Sequence, residues 1–331
     1  MVVFVPFTAE GERVRVQVLR RRKNSAEGRL LEVLESSPFR VTPPCPYFGN
    51  CGGCRYQHLN YETQLAIKSR QVEQTLRRIG KMHAVPVGGI IRSQNSFGYR
   101  NRIRVHVEGG RVGFFAIRSH DLVEIKRCAI AVEAVNARLL KLRARPLIDG
   151  DYMLAAEEEV RYFAQINDQV AQAMVRIVAN FIRDPSCVFV DAYCGAGFFS
   201  RSLRDSVGRV IGIERNETAV ECARATATDR ETYLAADVGM ILGEVLSRED
   251  PRRVVLLLDP PAKGIAPRVR DAIRSLTPET VIYVSCNPST LARDLSVLGN
   301  EYLVEAVTPL DMFPQTAEIE VITCLRKKPG I

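Results

Sequence analysis

A cysteine follows directly on an apolar segment near the C-terminus of this chain. In the stretch VSCNPSTLARDL, Cys286 comes after residues typical of a strand and before an Asn-Pro turn. The thiolate is the nucleophilic form of cysteine, and a strand end places a thiol at the rim of a sheet. Catalysis would explain this position, whereas three other cysteines fit the pattern of buried small apolar residues. These are Cys187, Cys222 and Cys324.

A second group of cysteines lies in the first half of the chain. Cys45, Cys51 and Cys54 have the spacing C-x5-C-x2-C, and Cys128 is the remaining cysteine before the last 170 or so residues. Zinc sites more commonly show two C-x2-C pairs, and the radical-adenosylmethionine pattern has three residues in its first gap. A disulfide framework is not expected, because the cytosol keeps thiols reduced. The spacing alone therefore indicates a metal centre without deciding which.

Carboxylates end four successive predicted strands in the second half of the chain. They are Asp191, Glu214, Asp237 and Asp259. Gly195 and Gly197 follow the first of these strands, and glycines let the backbone approach a ligand closely. Glu214 ends the second strand, where an acidic side chain can accept both hydroxyl groups of a ribose. Together these residues predict a nucleoside-binding rim.

The sequence motif and the charge of this rim narrow the choice of cofactor. NAD and FAD require G-x-G-x-x-G to seat a pyrophosphate, and Ser200 stands where the third glycine would fall. Several carboxylates repel a pyrophosphate but attract a cation. The sulfonium of S-adenosylmethionine is such a cation, so we predict S-adenosylmethionine as the ligand.

The elements that must position these residues are strands that alternate with helices. The segments CVFVDAY, RVIGIE, TYLAAD, VVLLLDPP and TVIYVSC are short and apolar on both sides, as in a parallel sheet covered on both faces. Residues 158–331 are therefore predicted to form an α/β, doubly wound, Rossmann-like domain.

The first half of the chain has a different pattern. Alternation predicts a hairpin over residues 11–37 with a basic tip, and a helix with a basic outer face runs from Tyr61 to Gly80. A second hairpin turns at Gly109-Gly110, and arginines occupy every second position of its first strand. Strands exposed only to solvent usually mix charges, so this hairpin favours a surface that faces phosphates.

Composition agrees with a polyanion partner. The formal net charge is +8 and the isoelectric point is about 9.1. No apolar run reaches the roughly 20 residues that span a bilayer, and the N-terminus lacks the pattern of a signal peptide. We expect a cytoplasmic protein.

Four ordered motifs identify a family. They are DAYCGAGFF, LLLDPPAKG, SCNPSTLARDL and DMFPQTAEIE. Together they resemble the motifs of the RNA uracil-C5 methyltransferases, which make 5-methyluridine in ribosomal and transfer RNA. The resemblance covers nearly the whole chain. It implies an S-adenosylmethionine-dependent enzyme with RNA as its partner, and a monomer is the favoured state.

The resemblance also assigns roles to residues. It implies that Cys286 adds to carbon 6 of uracil and that Glu320 removes the proton from carbon 5. Glu318 stands where relatives usually carry histidine, and we expect it on the same strand face as Glu320, so that one carboxyl has a raised pKa. Asp259 is expected to face the base or the donor, and Ala262 replaces a usual arginine. The implied donor site consists of Gln165, Tyr193, Gly195, Phe198, Glu214, Asp237 and Asp259.

For the first half, the resemblance implies a [4Fe-4S] cluster held by Cys45, Cys51, Cys54 and Cys128. Residues 43–157 would then form a small α+β iron-sulfur and RNA-binding domain. Residues 1–42 resemble the second half of a small RNA-binding (TRAM-like) β-barrel, a partial module whose first strands are missing.

Three other functions compete with this one. RNA cytosine-C5 methyltransferases carry a second cysteine after the Asp-Pro motif, where this chain has Pro261 and Ala262. N-methyltransferases carry an aromatic residue at position 262 and need no Cys286. A non-catalytic iron-sulfur RNA-binding protein would need neither Cys286 nor Glu320. The sequence does not distinguish ribosomal from transfer RNA as the substrate.

Overall fold

The computed structural model describes residues 1–157 and 165–330, which form two compact units. The first unit consists of Met1–Ile67, Asn95–Glu158 and Phe313–Ala317. The second unit consists of Lys68–Gln94, Glu159–Met312 and Glu318–Ile331. The predicted division into residues 1–42, 43–157 and 158–331 stays a prediction. In the described residues, every helix is too short or too polar to cross a membrane.

A three-stranded sheet with the order β1-β3-β2 begins the first unit. Its strands are β1 (Val2–Phe4), β2 (Arg13–Arg21) and β3 (Ser25–Glu35). The antiparallel pairing of β2 with β3 confirms the predicted hairpin, and β1 adds a parallel strand that the sequence did not reveal. At the basic tip, Arg22 pairs with Glu27 at 3.1 Å.

Helix α1 (Tyr61–Arg78) confirms the predicted amphipathic helix. Leu65, Val72 and Leu76 are buried along one stripe, because residues three and four positions apart share a helix face. Ile79, which the pattern placed on the same stripe, lies beyond the last turn and is 46% exposed.

A four-stranded sheet with the order β6-β5-β4-β7 completes the regular structure of the first unit. Its strands are β4 (Arg102–Glu108), β5 (Arg111–Phe115), β6 (Leu122–Glu124) and β7 (Gly150–Ala155), and its helix is α2 (Glu133–Arg143). The predicted turn at Gly109-Gly110 is confirmed, since both glycines have positive φ (54° and 75°). Val105 and Val107 face a core that includes Leu139 of α2.

The second unit is built on a seven-stranded sheet with the order β10-β9-β8-β11-β12-β14-β13. Its strands are β8 (Val188–Ala192), β9 (Arg209–Glu214), β10 (Glu231–Ala235), β11 (Val254–Leu258), β12 (Thr280–Ser285), β13 (Tyr302–Leu310) and β14 (Glu320–Lys327). The pairs among β8 to β12 are parallel, which confirms the predicted strands. β14 runs antiparallel to both β12 and β13.

Helices connect these strands. They are α3 (Asp168–Phe181), α4 (Phe198–Leu203), α5 (Glu217–Arg224), α6 (Val238–Ser247), α7 (Pro267–Leu276) and α8 (Pro288–Leu298). Every residue of β11 and β12 is buried, as expected for central strands covered on both faces. The parallel strands therefore end together at one rim, where α4 and α8 begin after short loops.

Candidate active site

The loop between β8 and α4 has a backbone that only a few residue types adopt easily. Gly195 and Gly197 have φ values of 54° and 84°, and Tyr193 also lies in the left-handed region with φ 69°. Glycine reaches this region without steric cost, whereas tyrosine is strained there. Such strain is common where a loop must follow the outline of a ligand.

Asp191 is fixed at the end of β8 by Ser200. The Ser200 backbone N–H and hydroxyl donate to Asp191 Oδ2 at 3.0 and 2.6 Å. Burial is the main cause that raises the pKa of Asp191 to about 6. Asp191 Oδ1 is buried without a hydrogen-bond partner. The residue that replaces the third glycine of dinucleotide sites thus holds the first rim carboxylate.

Two further rim acids have defined hydrogen bonds. Glu214 accepts hydrogen bonds from the Gly195 N–H at 3.3 Å and from the Asn216 N–H at 2.8 Å. Asp237 is exposed, and its Oδ1 accepts from the Gly239 N–H at 2.9 Å, which caps α6. Both carboxylates therefore lie where β9 and β10 give way to helices, as the sequence predicted.

Two more residues of the predicted donor site flank this rim. Phe198 starts α4 and packs edge to face on Phe199, with ring centroids 4.8 Å apart. Gln165 is the first described residue after residue 157, two positions before Asn167, which caps α3. Their donor-binding roles stay predictions.

Cys286 and Glu320 lie side by side at the ends of paired strands. β12 pairs with β14 up to Ser285 opposite Val321, and Cys286 and Glu320 are the residues directly beyond that last pair. Cys286 is exposed, as the position after a strand predicted. Partial desolvation raises the pKa of its thiol, and the negative charges of Glu320 and Asp259 raise this pKa further. The thiol therefore needs help to ionise.

Three carboxyl groups near Cys286 influence one another, namely those of Glu320, Asp259 and Asp191. Glu320 is 5% exposed, and burial together with the charge of Asp259 raises its pKa well above the usual range. Desolvation and the charge of Asp191 raise the pKa of Asp259 to about 7. Mutually close, desolvated carboxyls retain protons, so a cation bound at this rim would favour their ionised forms.

The expected placement of Glu318 was wrong. β14 begins at Glu320, so Glu318 is not on a strand, and it is exposed while Glu320 is buried. The raised pKa of Glu320 comes from burial and Asp259 instead of Glu318. The segment before β14 makes turns, and Gln315 adopts φ 69° there. Glu318 contributes to the electrostatic surroundings of the buried Lys68.

The four cysteines predicted to bind a metal line one cavity of about 220 Å³ in the first unit. Burial is the main cause that raises the pKa values of Cys51, Cys54 and Cys128, and the charges of neighbouring cysteines raise them further. Within residues 1–157 and 165–330, no three His, Cys, Asp or Glu side chains form a group that could hold a metal ion. The cavity also contains Arg100, Arg104 and Arg127.

Two of the three cysteines that were predicted to be buried are buried. Cys187 and Cys324 are buried, as expected. Cys222 is only half-buried, because its position on α5 lies at the edge of the apolar face, and its thiol donates to the Thr218 carbonyl at 2.9 Å.

Sequence reasoning missed three ion pairs made by two buried carboxylates of the second unit. Asp294 is fully buried on α8 and pairs with Arg270 and Arg293. Lys68 is fully buried and pairs with Asp311 at 2.5 Å. A signal for Asp294 exists in the sequence, since this carboxylate lies three residues from Leu291 on the apolar helical stripe.

Comparisons with known proteins agree with this site. The family model that matches is tRNA (Uracil-5-)-methyltransferase, over residues 249–328, which include Asp259, Cys286 and Glu320. An uncharacterized RNA methyltransferase from Bdellovibrio bacteriovorus is 33% identical over 355 residues, which cover 98% of this chain and 90% of that protein. Another uncharacterized RNA methyltransferase, from Thermosynechococcus vestitus, is 31% identical, and the alignment covers 98% of this chain and 93% of that protein.

A solved structure supports the fold. Pyrococcus abyssi tRNA (uracil-54, C5)-methyltransferase, in complex with S-adenosyl-L-homocysteine, superimposes with a TM-score of 0.73 at 24% identity. The match covers 98% of this chain and 95% of that chain. The predicted α/β methyltransferase fold is thus confirmed. This chain therefore belongs to an RNA methyltransferase family, and its residues 249–328 match the tRNA (Uracil-5-)-methyltransferases.

Proposed function

We propose that this enzyme methylates carbon 5 of a uridine in RNA through a covalent adduct on Cys286. The Cys286 thiolate adds to carbon 6, which forms an S–C bond and shifts an electron pair toward carbon 5. When bound, S-adenosylmethionine would supply the methyl group to carbon 5, and the electron pair of the broken S–CH₃ bond would remain on the sulfur of S-adenosylhomocysteine. Glu320 then accepts the proton from carbon 5, and the released electron pair restores the 5,6 double bond and expels the thiolate.

The observation that supports this proposal most directly is that Cys286 and Glu320 lie directly beyond the last pair of β12 and β14, where the charge of Glu320 acts on the thiol. A thiol that attacks carbon 6 and a carboxylate that removes the proton from the adjacent carbon must lie close together. Glu320 is also buried, and burial keeps a base away from bulk water. Glu318 is exposed and outside the strand, so Glu320 is the better candidate.

The charges of the rim suggest how the reaction is switched on. Cys286, Asp259 and Glu320 all have raised pKa values in the donor-free protein, so protonated forms are favoured. A sulfonium near Asp259 would favour the carboxylate forms of Asp259 and Glu320. Glu320 would then be ready to accept a proton only when the donor is present.

The remaining rim residues would bind the donor. We assign the ribose hydroxyls to Glu214, because its position at the end of β9 matches the position of ribose-binding acids. Gly195 and Tyr193 would shape the loop that faces the donor, with Phe198 and Asp237 beside the adenine and Gln165 near the methionine part. The buried, unpartnered Oδ1 of Asp191 is available to a cationic group of the donor.

RNA is the proposed partner, and both transfer RNA and ribosomal RNA fit. The net charge of +8 and the arginines of β4 suit a polyanion. The Pyrococcus abyssi protein acts on uracil-54 of transfer RNA, and we extend to this chain only the RNA class. A cytoplasmic location and a monomeric state remain part of the proposal.

We further propose that Cys45, Cys51, Cys54 and Cys128 hold a [4Fe-4S] cluster. Thiolates are the ligands of such clusters, and these four thiols share one cavity. Arg100, Arg104 and Arg127 in the lining would offset the negative charge of the thiolates. When bound, the cluster would cross-link distant parts of the first unit.

Nucleoside mass spectrometry tests the reaction. Anaerobically purified enzyme and methyl-labelled S-adenosylmethionine are incubated separately with unmodified transfer RNA and unmodified ribosomal RNA. We expect labelled 5-methyluridine in one of the two fractions. Label in 5-methylcytidine would show that the target base is cytosine instead of uracil. No label in either fraction, with donor binding intact, would favour a protein that binds RNA without methylating it.

A further inference from the structure

The loop that carries Asp259 is fastened to the helix that follows Cys286. Asn287 Nδ2 and Thr290 Oγ1 donate to the Ala262 carbonyl at 3.1 and 3.0 Å. Arg293 Nη2 donates to the Lys263 carbonyl at 3.0 Å. These side chains come from the first two turns of α8 and its cap, and they bind the loop backbone instead of its side chains.

Asp294 connects the same loop to two further elements. Its Oδ2 accepts hydrogen bonds from the Ile265 N–H at 3.0 Å and from the Tyr283 hydroxyl at 2.8 Å. Its Oδ1 pairs with Arg270 of α7 at 3.3 Å and with Arg293 at 2.8 Å. A fully buried carboxylate with both oxygens satisfied holds its partners in a defined geometry.

Gly264 shows how close this contact is. Its φ is 78°, and a Cβ added there would lie 2.4 Å from Asp294 Oδ2 and 2.6 Å from the Arg293 guanidinium. Glycine is therefore required both by the backbone conformation and by the lack of space. The backbone of the loop is therefore packed closely against side chains of α8.

We propose that Asn287, Thr290, Arg293 and Asp294 form a clasp that sets the position of Asp259 relative to Cys286. The clasp residues are positioning residues, since they touch the loop and not the reacting atoms. The proposal rests on the proposed function of Cys286 and Asp259. β11 and β12 are parallel neighbours, so Asp259 and Cys286 leave the sheet at the same rim. Beyond the rim, the clasp links the loop after Asp259 to the turn and helix that follow Cys286.

The clasp has a consequence for rate more than for binding. Asp259 influences both the Cys286 thiol and Glu320 electrostatically, so a shifted loop changes the surroundings of both groups. Misplacement of a catalytic group by about 1 Å can cost on the order of 100-fold in rate. Partial loosening of the loop should cost less, on the order of 10-fold.

The double variant N287S/T290V tests this proposal. It removes both donors to the Ala262 carbonyl, while serine at position 287 can still cap α8, as asparagine does through the Ser289 N–H at 3.0 Å. The single variant T290S keeps the hydroxyl group, so its rate should equal that of the unchanged enzyme. The variant S289A, at an exposed position of the same turn, is the matched control.

Single-turnover methyl transfer is measured at saturating donor and RNA, together with the KM for each and the melting temperature. We expect N287S/T290V to lower the maximal rate about 10-fold with both KM values within about 2-fold and with folding retained. T290S and S289A should match the unchanged enzyme. An unchanged maximal rate in the double variant, or a loss expressed only in KM, would overturn the clasp. Absence of methylation by the unchanged enzyme would instead refute the proposed function.

Discussion

Four cysteines of the first unit share one cavity with arginines, whereas Cys286 of the second unit stands alone next to carboxylates. Burial raises the thiol pKa in both places, but Arg100 lowers the pKa of Cys128, whereas Glu320 and Asp259 raise the pKa of Cys286 further. Arginines favour permanent thiolates and therefore suit metal ligands. Carboxylates oppose a thiolate until a cation arrives, which suits a nucleophile used once per reaction cycle. The neighbours, and not the thiol itself, distinguish the two kinds of site.

Removal of the Cys286 thiol should have the largest effect. Cys286→Ala removes the nucleophile, so we expect the methylation rate to fall by a factor on the order of 10⁴ or more. The measurement is methyl transfer to RNA, with donor affinity determined in parallel and expected to persist. Cys222→Ser, at a half-buried cysteine of α5, is the control and should keep its activity. Methylation by the alanine variant would exclude the proposed adduct.

Replacement of Glu320, the proposed proton acceptor, should slow the removal of the carbon-5 proton, which follows adduct formation. Glu320→Gln leaves the thiol in place but cannot accept the carbon-5 proton, so we expect a rate loss of roughly 10²- to 10⁴-fold. A covalent protein–RNA adduct should accumulate and be visible on a denaturing gel. Glu318→Gln, at the exposed position two residues earlier, should form no excess adduct. Accumulation in the Glu318 variant alone would reverse the assignment.

Loss of a cysteine from the cavity should affect stability more than chemistry. Cys54→Ser removes one proposed cluster ligand, so we expect loss of the brown chromophore of anaerobically purified protein and a melting temperature lower by about 5 °C or more. S-adenosylmethionine affinity should stay the same. Iron and sulfide analysis, thermal denaturation and donor titration measure these effects. Wild-type protein without iron would refute the cluster.

The smallest predicted effect concerns the carboxylates around Cys286. An ionised Asp259 raises the Cys286 pKa, so Asp259→Asn should lower this pKa and increase the thiolate fraction in donor-free enzyme. We expect alkylation of Cys286 by iodoacetamide to be about 2-fold faster at about pH 9.

The pH dependence provides the check on that prediction. The pKa of Asp259 is about 7, so its carboxyl is neutral well below that pH and the two proteins should then react alike. Peptide mass spectrometry measures the alkylation of Cys286. Asp271→Asn, at an exposed carboxylate of α7, is the matched control. Equal rates for Asp259→Asn and the unchanged protein at high pH would show that Asp259 does not act on the thiol.

The sequence predicted those parts of the molecule that depend on local patterns. Apolar runs such as VVLLL indicated the central strand β11, and Gly109-Gly110 indicated a hairpin. EIE before an apolar run looks like a strand that includes Glu318, but turns extend up to residue 319 and the strand starts at Glu320. Which part of such a segment pairs with a neighbour is decided by tertiary contacts.

The clasp illustrates a second limit of sequence reasoning. Asn287 binds the carbonyl of Ala262, a backbone group 25 residues earlier in the chain. A backbone acceptor leaves no trace in residue type, so neither the pattern nor the spacing of side chains reveals this contact. Only Asp294, a charge on an apolar helical stripe, and Gly264, a glycine in a tight loop, give indirect signals.

The cavity of the first unit also sets an order of events during synthesis. Cys45, Cys51 and Cys54 leave the ribosome about 74 residues before Cys128. At typical translation rates of about 5 to 20 residues per second, the first three thiols wait roughly 4 to 15 seconds for the fourth. A complete set of ligands can exist only after that interval. For the proposed cluster, iron delivery would therefore come late in translation or after it, and oxidation of the early thiols in the interval would block it.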